Sequence, residues 1–216
     1  MYCIVVLVVT YIPVLSEMTM NSLTIRDILI TKRIRTFSAR ELSGLLSLSK
    51  RQTIYYLNKG VRDGLFSRVK RNLYYLKTDP PSELEIANQL YRPSYVSFEY
   101  ALAYYNLLPE IVYTITSATT KSTRQFSTDT KTFQYTTIKI KAFTGYKLMV
   151  EDSRRFLIAD PEKALVDYLY TVSLGRRALY ERIDLSKVKK DNVRHYASLF
   201  SSKSLDLLID KLFVHA

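Results

Sequence analysis

The chain has 216 residues, 47% of them hydrophobic, and a formal net charge of +12. That hydrophobic share excludes a disordered polyelectrolyte, the length allows one large core or two small ones, and the positive balance points to an anionic partner. A single cysteine, Cys3, excludes an internal disulfide, and two histidines, His195 and His215, leave little for a metal site; a reducing cytoplasm and no metal or cofactor are the expectation.

The chain opens with MYCIVVLVVTYIPVLSEM, apolar from Tyr2 to Leu15 but broken by Thr10 and Pro13. A membrane-spanning helix takes about 20 apolar residues, and a secretory signal needs a basic start and a small-residue cleavage site. The stretch offers neither, so no membrane partner is expected. Residues 1–21 read as an appended apolar extension or a product of start-codon choice, since Met18 and Met20 directly precede the first patterned helix.

Residues 22–78 carry most of the charge. Ser22 to Lys77 hold 13 lysines and arginines against Asp27, Glu41 and Asp63, whereas the rest of the chain has 19 basic and 17 acidic residues. Ile25, Ile28, Leu29 and Ile34 recur at helical spacing in a first helix. Ser38 and Glu41, three apart, mark a capping box for a second helix with Leu42, Leu45 and Leu46 as its apolar stripe. Ser49 opens a third helix, with Ile54, Leu57 and Val61 expected on the buried side and Gly64 at its end. The other side then presents Gln52, Tyr55, Tyr56 and Lys59, with Lys50, Arg51 and Thr53 at the helix start. LFSRV and LYYL read as two strands joined by a basic turn, so that Arg68, Lys70, Arg71 and Asn72 form a wing. The order predicts a winged helix-turn-helix whose third helix enters the DNA major groove, these eleven residues meeting base edges and phosphates. A merely solvated charged face is the plain alternative; the coincidence of charge excess, outward polar helix and basic turn in one short unit favours DNA.

Pro80 and Pro81 break the preceding strand, and a second domain is expected over residues 82–216. Ser82 and Glu85 cap one helix, and Ser97 starts another with Ala101, Leu102, Tyr105 and Leu108 packed. IVYTITSA, FQYTTIKIKAF and RRFLIA have strand composition. Asp160-Pro161-Glu162 begins the helix EKALVDYLYTV, and SKSLDLLIDKLF is a last amphipathic helix. The fold class predicted is α+β: a winged helix-turn-helix followed by a mixed α/β domain.

A basic winged helix followed by RPSYVSFEYALAYYNLLPE, TSATTKSTRQFST and FLIADPEKALVDYLY resembles the AbiEi family of antitoxins, the repressor half of type IV toxin–antitoxin phage-defence loci. The resemblance spans about Leu23 to Tyr170. It implies a transcriptional repressor that autoregulates its operon at inverted repeats in double-stranded DNA, and a second domain that neutralises a cognate nucleotidyltransferase-like toxin.

The Ser/Thr-rich strip from Thr114 to Thr132 carries Lys121, Arg124 and Lys131, either a solvated strand and loop or a surface for toxin or nucleic acid. Asp129-Thr130-Lys131 matches a three-residue nuclease fragment without an upstream acidic partner, and Asp160-Pro161-Glu162 is ordinary helix-start chemistry. Neither a phosphate-binding glycine loop nor a Ser-His-Asp or Cys-His set can be assembled, so no catalytic residue is expected. The competing readings are a winged-helix regulator that senses a ligand or partner without a toxin, and a nuclease-like defence protein that docks through its basic module.

Overall fold

A computed structural model of the chain describes residues 20–128 and 131–214; the apolar extension up to residue 19, together with Asp129, Thr130, His215 and Ala216, lies outside the described residues. The fold is mixed α+β. No described helix is long and apolar enough to cross a membrane.

The N-terminal unit runs α1 (Ser22–Thr31), β1 (Thr36–Phe37), α2 (Ala39–Leu46), α3 (Lys50–Arg62), β2 (Phe66–Lys70) and β3 (Leu73–Leu76). Its strands form an antiparallel sheet in the order β1-β3-β2. Each helix starts on a side-chain cap. Asn21 accepts from the Thr24 amide at 2.8 Å, Ser38 and Glu41 close a capping box on α2, and Ser49 and Gln52 close another on α3. Ile25, Leu29, Phe37, Leu42, Leu57, Phe66 and Leu76 make its core.

The buried stripe of α3 differs from the sequence expectation. Ile54 and Val61 are 49% and 40% exposed, and the core face is Thr53, Leu57 and Gly60, with Tyr56 half-buried beside them. The helix is thus rotated by about 60° from the apolar-count reading, at 3.6 residues per turn. Gly60 explains this. A Cβ there would lie 2.3 Å from Cδ2 of Phe66, whose ring is buried, so α3 approaches β2 on its glycine side. Thr53 enters the core because its hydroxyl donates to the Ser49 carbonyl at 2.9 Å.

The second unit comprises α4 (Glu83–Leu90), β4 (Ser94–Val96), α5 (Phe98–Tyr104), β5 (Ile115–Thr119), β6 (Arg124–Ser127), β7 (Thr132–Thr137), β8 (Tyr146–Glu151), β9 (Arg154–Ala159), α6 (Pro161–Ser173), α7 (Lys190–Ser198) and α8 (Lys203–Val214). Its mixed sheet has the order β6-β7-β5-β4-β9-β8, with β5–β7 and β4–β9 parallel. The strand expected over FQYTTIKIKAF stops at Thr137, and Ile140–Ala142 is a short 3-10 turn instead.

Helix α6 is buried on nearly every side, which forces its two charged residues to find each other. Lys163 and Asp167, both fully buried, pair one turn apart. Tyr95 and Ser97 donate to the same carboxylate at 2.9 and 2.7 Å. Burial pushes the Asp167 carboxyl up, and the facing ammonium and hydroxyls pull it down. Ser97 stands at the start of α5 as expected, but its hydroxyl serves Asp167 rather than the helix amides. Asp160 likewise precedes Pro161 at the head of α6, and its carboxylate meets Lys147 at 3.2 Å rather than capping.

An ionic joint links the two units. Arg35 Nε lies 2.9 Å from Asp79, its Nη1 donates to the Ser153 carbonyl at 2.8 Å and sits 3.9 Å from Glu85, and Arg154 meets Asp79 at 3.3 Å.

Gly60→Ala tests the packing of α3 on β2. Alanine is about 1 kcal/mol better than glycine within a helix, yet the clash with Phe66 should outweigh this and lower stability by about 1–3 kcal/mol in thermal or denaturant unfolding. A rise in the melting temperature would contradict the observed packing.

Candidate nucleic-acid interface

The rotation of α3 decides which side chains face solvent. The outward stripe is Arg51, Tyr55, Asn58 and Arg62, with Lys50 at the helix start and Ile54 at its margin; all six are exposed. Positions i, i+4, i+7 and i+11 fall on one line of a helix, so cations, an aromatic ring and an amide alternate along it. Arg62 approaches Asp63 at 3.8 Å, but with side chains 76% and 39% exposed this pair neutralises little. The remaining cations of the stripe make no ion pair among the described residues.

Several of the eleven residues singled out from the sequence sit elsewhere. Gln52 is exposed, but its side-chain oxygen accepts from both the amide and the hydroxyl of Ser49 at 2.9 and 2.8 Å, which commits it to the cap. Thr53 is core. Tyr56 turns inward and donates its hydroxyl to the Met20 carbonyl at 2.9 Å, bracing the exposed ring of Tyr55 edge-on at 5.2 Å. Lys59 is half-buried at the border of the stripe. Asn58 and Arg62 were missed; a core face centred on Gly60 and Thr53 would have found them, but small and polar residues carry no apolar signal.

The β2–β3 hairpin is held down at its tip. Asn72 has the left-handed backbone that asparagine tolerates, φ 64°, and its side-chain oxygen accepts from the Ala39 amide at 3.0 Å, the first residue of α2. A register shift between Arg68 and Lys70 re-aims the strand, and Arg68 donates across it to the Lys70 carbonyl at 3.3 Å. Lys70 does not point outward: it donates to the Leu90 carbonyl of α4 and lies 5.2 Å over the Phe126 ring. Burial first, then the facing charges of Lys121 and Arg124, hold its ammonium below the usual lysine range. Arg68 and Arg71 are the cations the hairpin leaves exposed.

Of the later cations, Lys121 and Arg124 stand together beside the Tyr91 ring, at 5.5 and 5.6 Å. Lys131, beyond the far end of β6, is instead paired with Glu83 at 3.2 Å. Comparison with protein-family models gives no match, and no curated protein matches the sequence.

The two neighbouring tyrosines separate structure from surface. Tyr56→Ala should cost about 2 kcal/mol, through poorer packing and an unpaired Met20 carbonyl, whereas Tyr55→Ala should stay within about 0.5 kcal/mol of wild type. Denaturant unfolding of both variants checks this; equal losses would contradict the inward and outward assignment.

Proposed function

We propose that the chain is a repressor that binds double-stranded DNA through α3, and that its N-terminal unit is a winged helix-turn-helix. The observation that carries this reading is the uninterrupted stripe of Arg51, Tyr55, Asn58 and Arg62, exposed on the third helix of a three-helix unit closed by an antiparallel hairpin. Arginines can grip phosphate or the guanine edge, asparagine the adenine edge, and a flat tyrosine the sugar and methyl surfaces. Arg68 and Arg71 extend the phosphate grip from the hairpin, while Lys70 takes no part. On the resemblance of residues 95–108 and 158–170 to AbiEi antitoxins, the second unit neutralises a nucleotidyltransferase-like toxin in the cytoplasm. The nearly neutral charge of that unit supports such a division, since it leaves phosphate binding to the first. No catalytic step is assigned to any residue.

The test uses DNA from upstream of the chain's own reading frame and a variant carrying Arg51→Ala, Tyr55→Ala and Arg62→Ala. All three side chains are on the surface, so the variant should melt within a few degrees of wild type. Its affinity in fluorescence anisotropy should fall by about a hundredfold or more, since removing a side chain that reads a base edge costs about 1–3 kcal/mol. Co-expressed with a nucleotidyltransferase-like protein encoded beside it, the folded variant should still protect cells. Wild-type affinity in the variant would overturn the DNA reading. Loss of protection with the fold intact would overturn the division of labour.

A further inference from the structure

The cations that the DNA-facing stripe leaves aside converge elsewhere. A cleft of about 540 Å³ opens between the tip of the β2–β3 hairpin, the end of α4 and the start of β6. Lys70, Arg71, Arg92, Lys121 and Arg124 line it, against one carboxylate, Glu41, which is spent on Arg92 at 3.6 Å. Lys70, Lys121 and Arg124 make no ion pair among the described residues.

Aromatic rings hold these three in place. Lys121 and Arg124 lie over Tyr91, and Lys70 and Arg124 over Phe126 at 5.2 and 6.0 Å. The rings are themselves fixed, Tyr91 meeting Phe126 at 5.8 Å and the buried Tyr135 at 5.3 Å. Such a ring fixes a cation without cancelling its charge, unlike a carboxylate. Three positive groups from two units therefore face one another across a concave space with their repulsion unrelieved.

We propose that this cleft is a polyphosphate site, which takes the di- or triphosphate chain of a nucleotide-sized ligand. A single small anion could relieve one cation; a chain of linked phosphates meets Lys70, Lys121 and Arg124 at once, with Arg124 suited to a bidentate grip. The volume fits a small ligand, for which sites of about 300–1,000 Å³ are usual. Because Lys70 belongs to the hairpin and the other two to the second unit, the bound anion clamps one to the other. This inference does not rest on the DNA reading.

The experiment titrates the full chain, free of magnesium, with inorganic tripolyphosphate, ATP, AMP and an eight-nucleotide single strand lacking terminal phosphates, by calorimetry and thermal shift. Tripolyphosphate and ATP should bind and raise the melting temperature, and AMP should bind about tenfold more weakly or worse. In the variant Lys121→Gln, Arg124→Gln, tripolyphosphate affinity should fall at least about tenfold. The unliganded variant should melt no lower than wild type, because a repulsion has been removed and not a structural bond. No binding of tripolyphosphate, or equal binding by wild type and variant, would overturn the proposal. So would a lower melting point of the unliganded variant, which would make the cations structural. A single strand that binds more tightly than tripolyphosphate and loses that binding in the variant would replace the small ligand with a nucleic-acid backbone.

Discussion

Arg35 connects the two halves of the molecule. It leaves the N-terminal unit just before β1, reaches Asp79 in the connecting segment and Glu85 at the head of α4, and donates to the carbonyl of Ser153 in the β8–β9 turn. Its side chain is 13% exposed, so the charge is largely withdrawn from water and needs those partners. Glu85 is engaged further: its carboxylate accepts from the Ser82 amide, closing the cap on α4, and from the Arg155 amide of β9 at 3.0 Å. One carboxylate thus fixes a helix start, a strand and an incoming arginine. The hairpin tip, seated against α4 through Lys70, follows from that seating, and so does the cleft that opens there.

The positive charge of the N-terminal unit is divided by where each cation finds a counterion. Arg35 is neutralised at the joint, and Arg26 is tied to its neighbour Asp27. Lys70 is fixed by a carbonyl and a ring, which orient it and leave its charge intact. Arg51, on the face of α3 away from the core, meets no carboxylate among the described residues, and Arg62 has only an exposed neighbour. Residues that fold the unit and residues that can meet an anion are therefore largely distinct sets. The caps make this possible: Gln52, an exposed polar side chain on α3, is spent on the backbone of Ser49 rather than on a ligand.

The parts of the fold written in strong local signals were legible. The Ser38–Glu41 and Ser82–Glu85 boxes, the proline at the head of α6 and the apolar runs of β5 and β9 lie where the sequence places them. The short strands β1, β4 and β6 were not, because two to four residues carry no usable period. The face of α3 was misjudged for a different reason: its buried side is made of a threonine, a glycine and one leucine, and the glycine is there to admit the ring of Phe66. Counting apolar residues selects Ile54 and Val61, which are exposed. Of the cleft, Lys121 and Arg124 were visible as cations in a polar strip, but not their meeting with Lys70, which depends on packing across more than fifty residues of chain.

Counterion release gives the most direct access to the central claim, that cations left without carboxylates on the N-terminal unit hold DNA phosphates. The measurement is the dissociation constant for duplex DNA as a function of salt concentration, with the full chain and a fixed duplex. If about five phosphates are met, log K should fall against log salt with a slope of roughly −4 to −5. A slope near zero would mean that no phosphates are neutralised, and the basic unit would then be a solvated surface rather than a DNA-binding one.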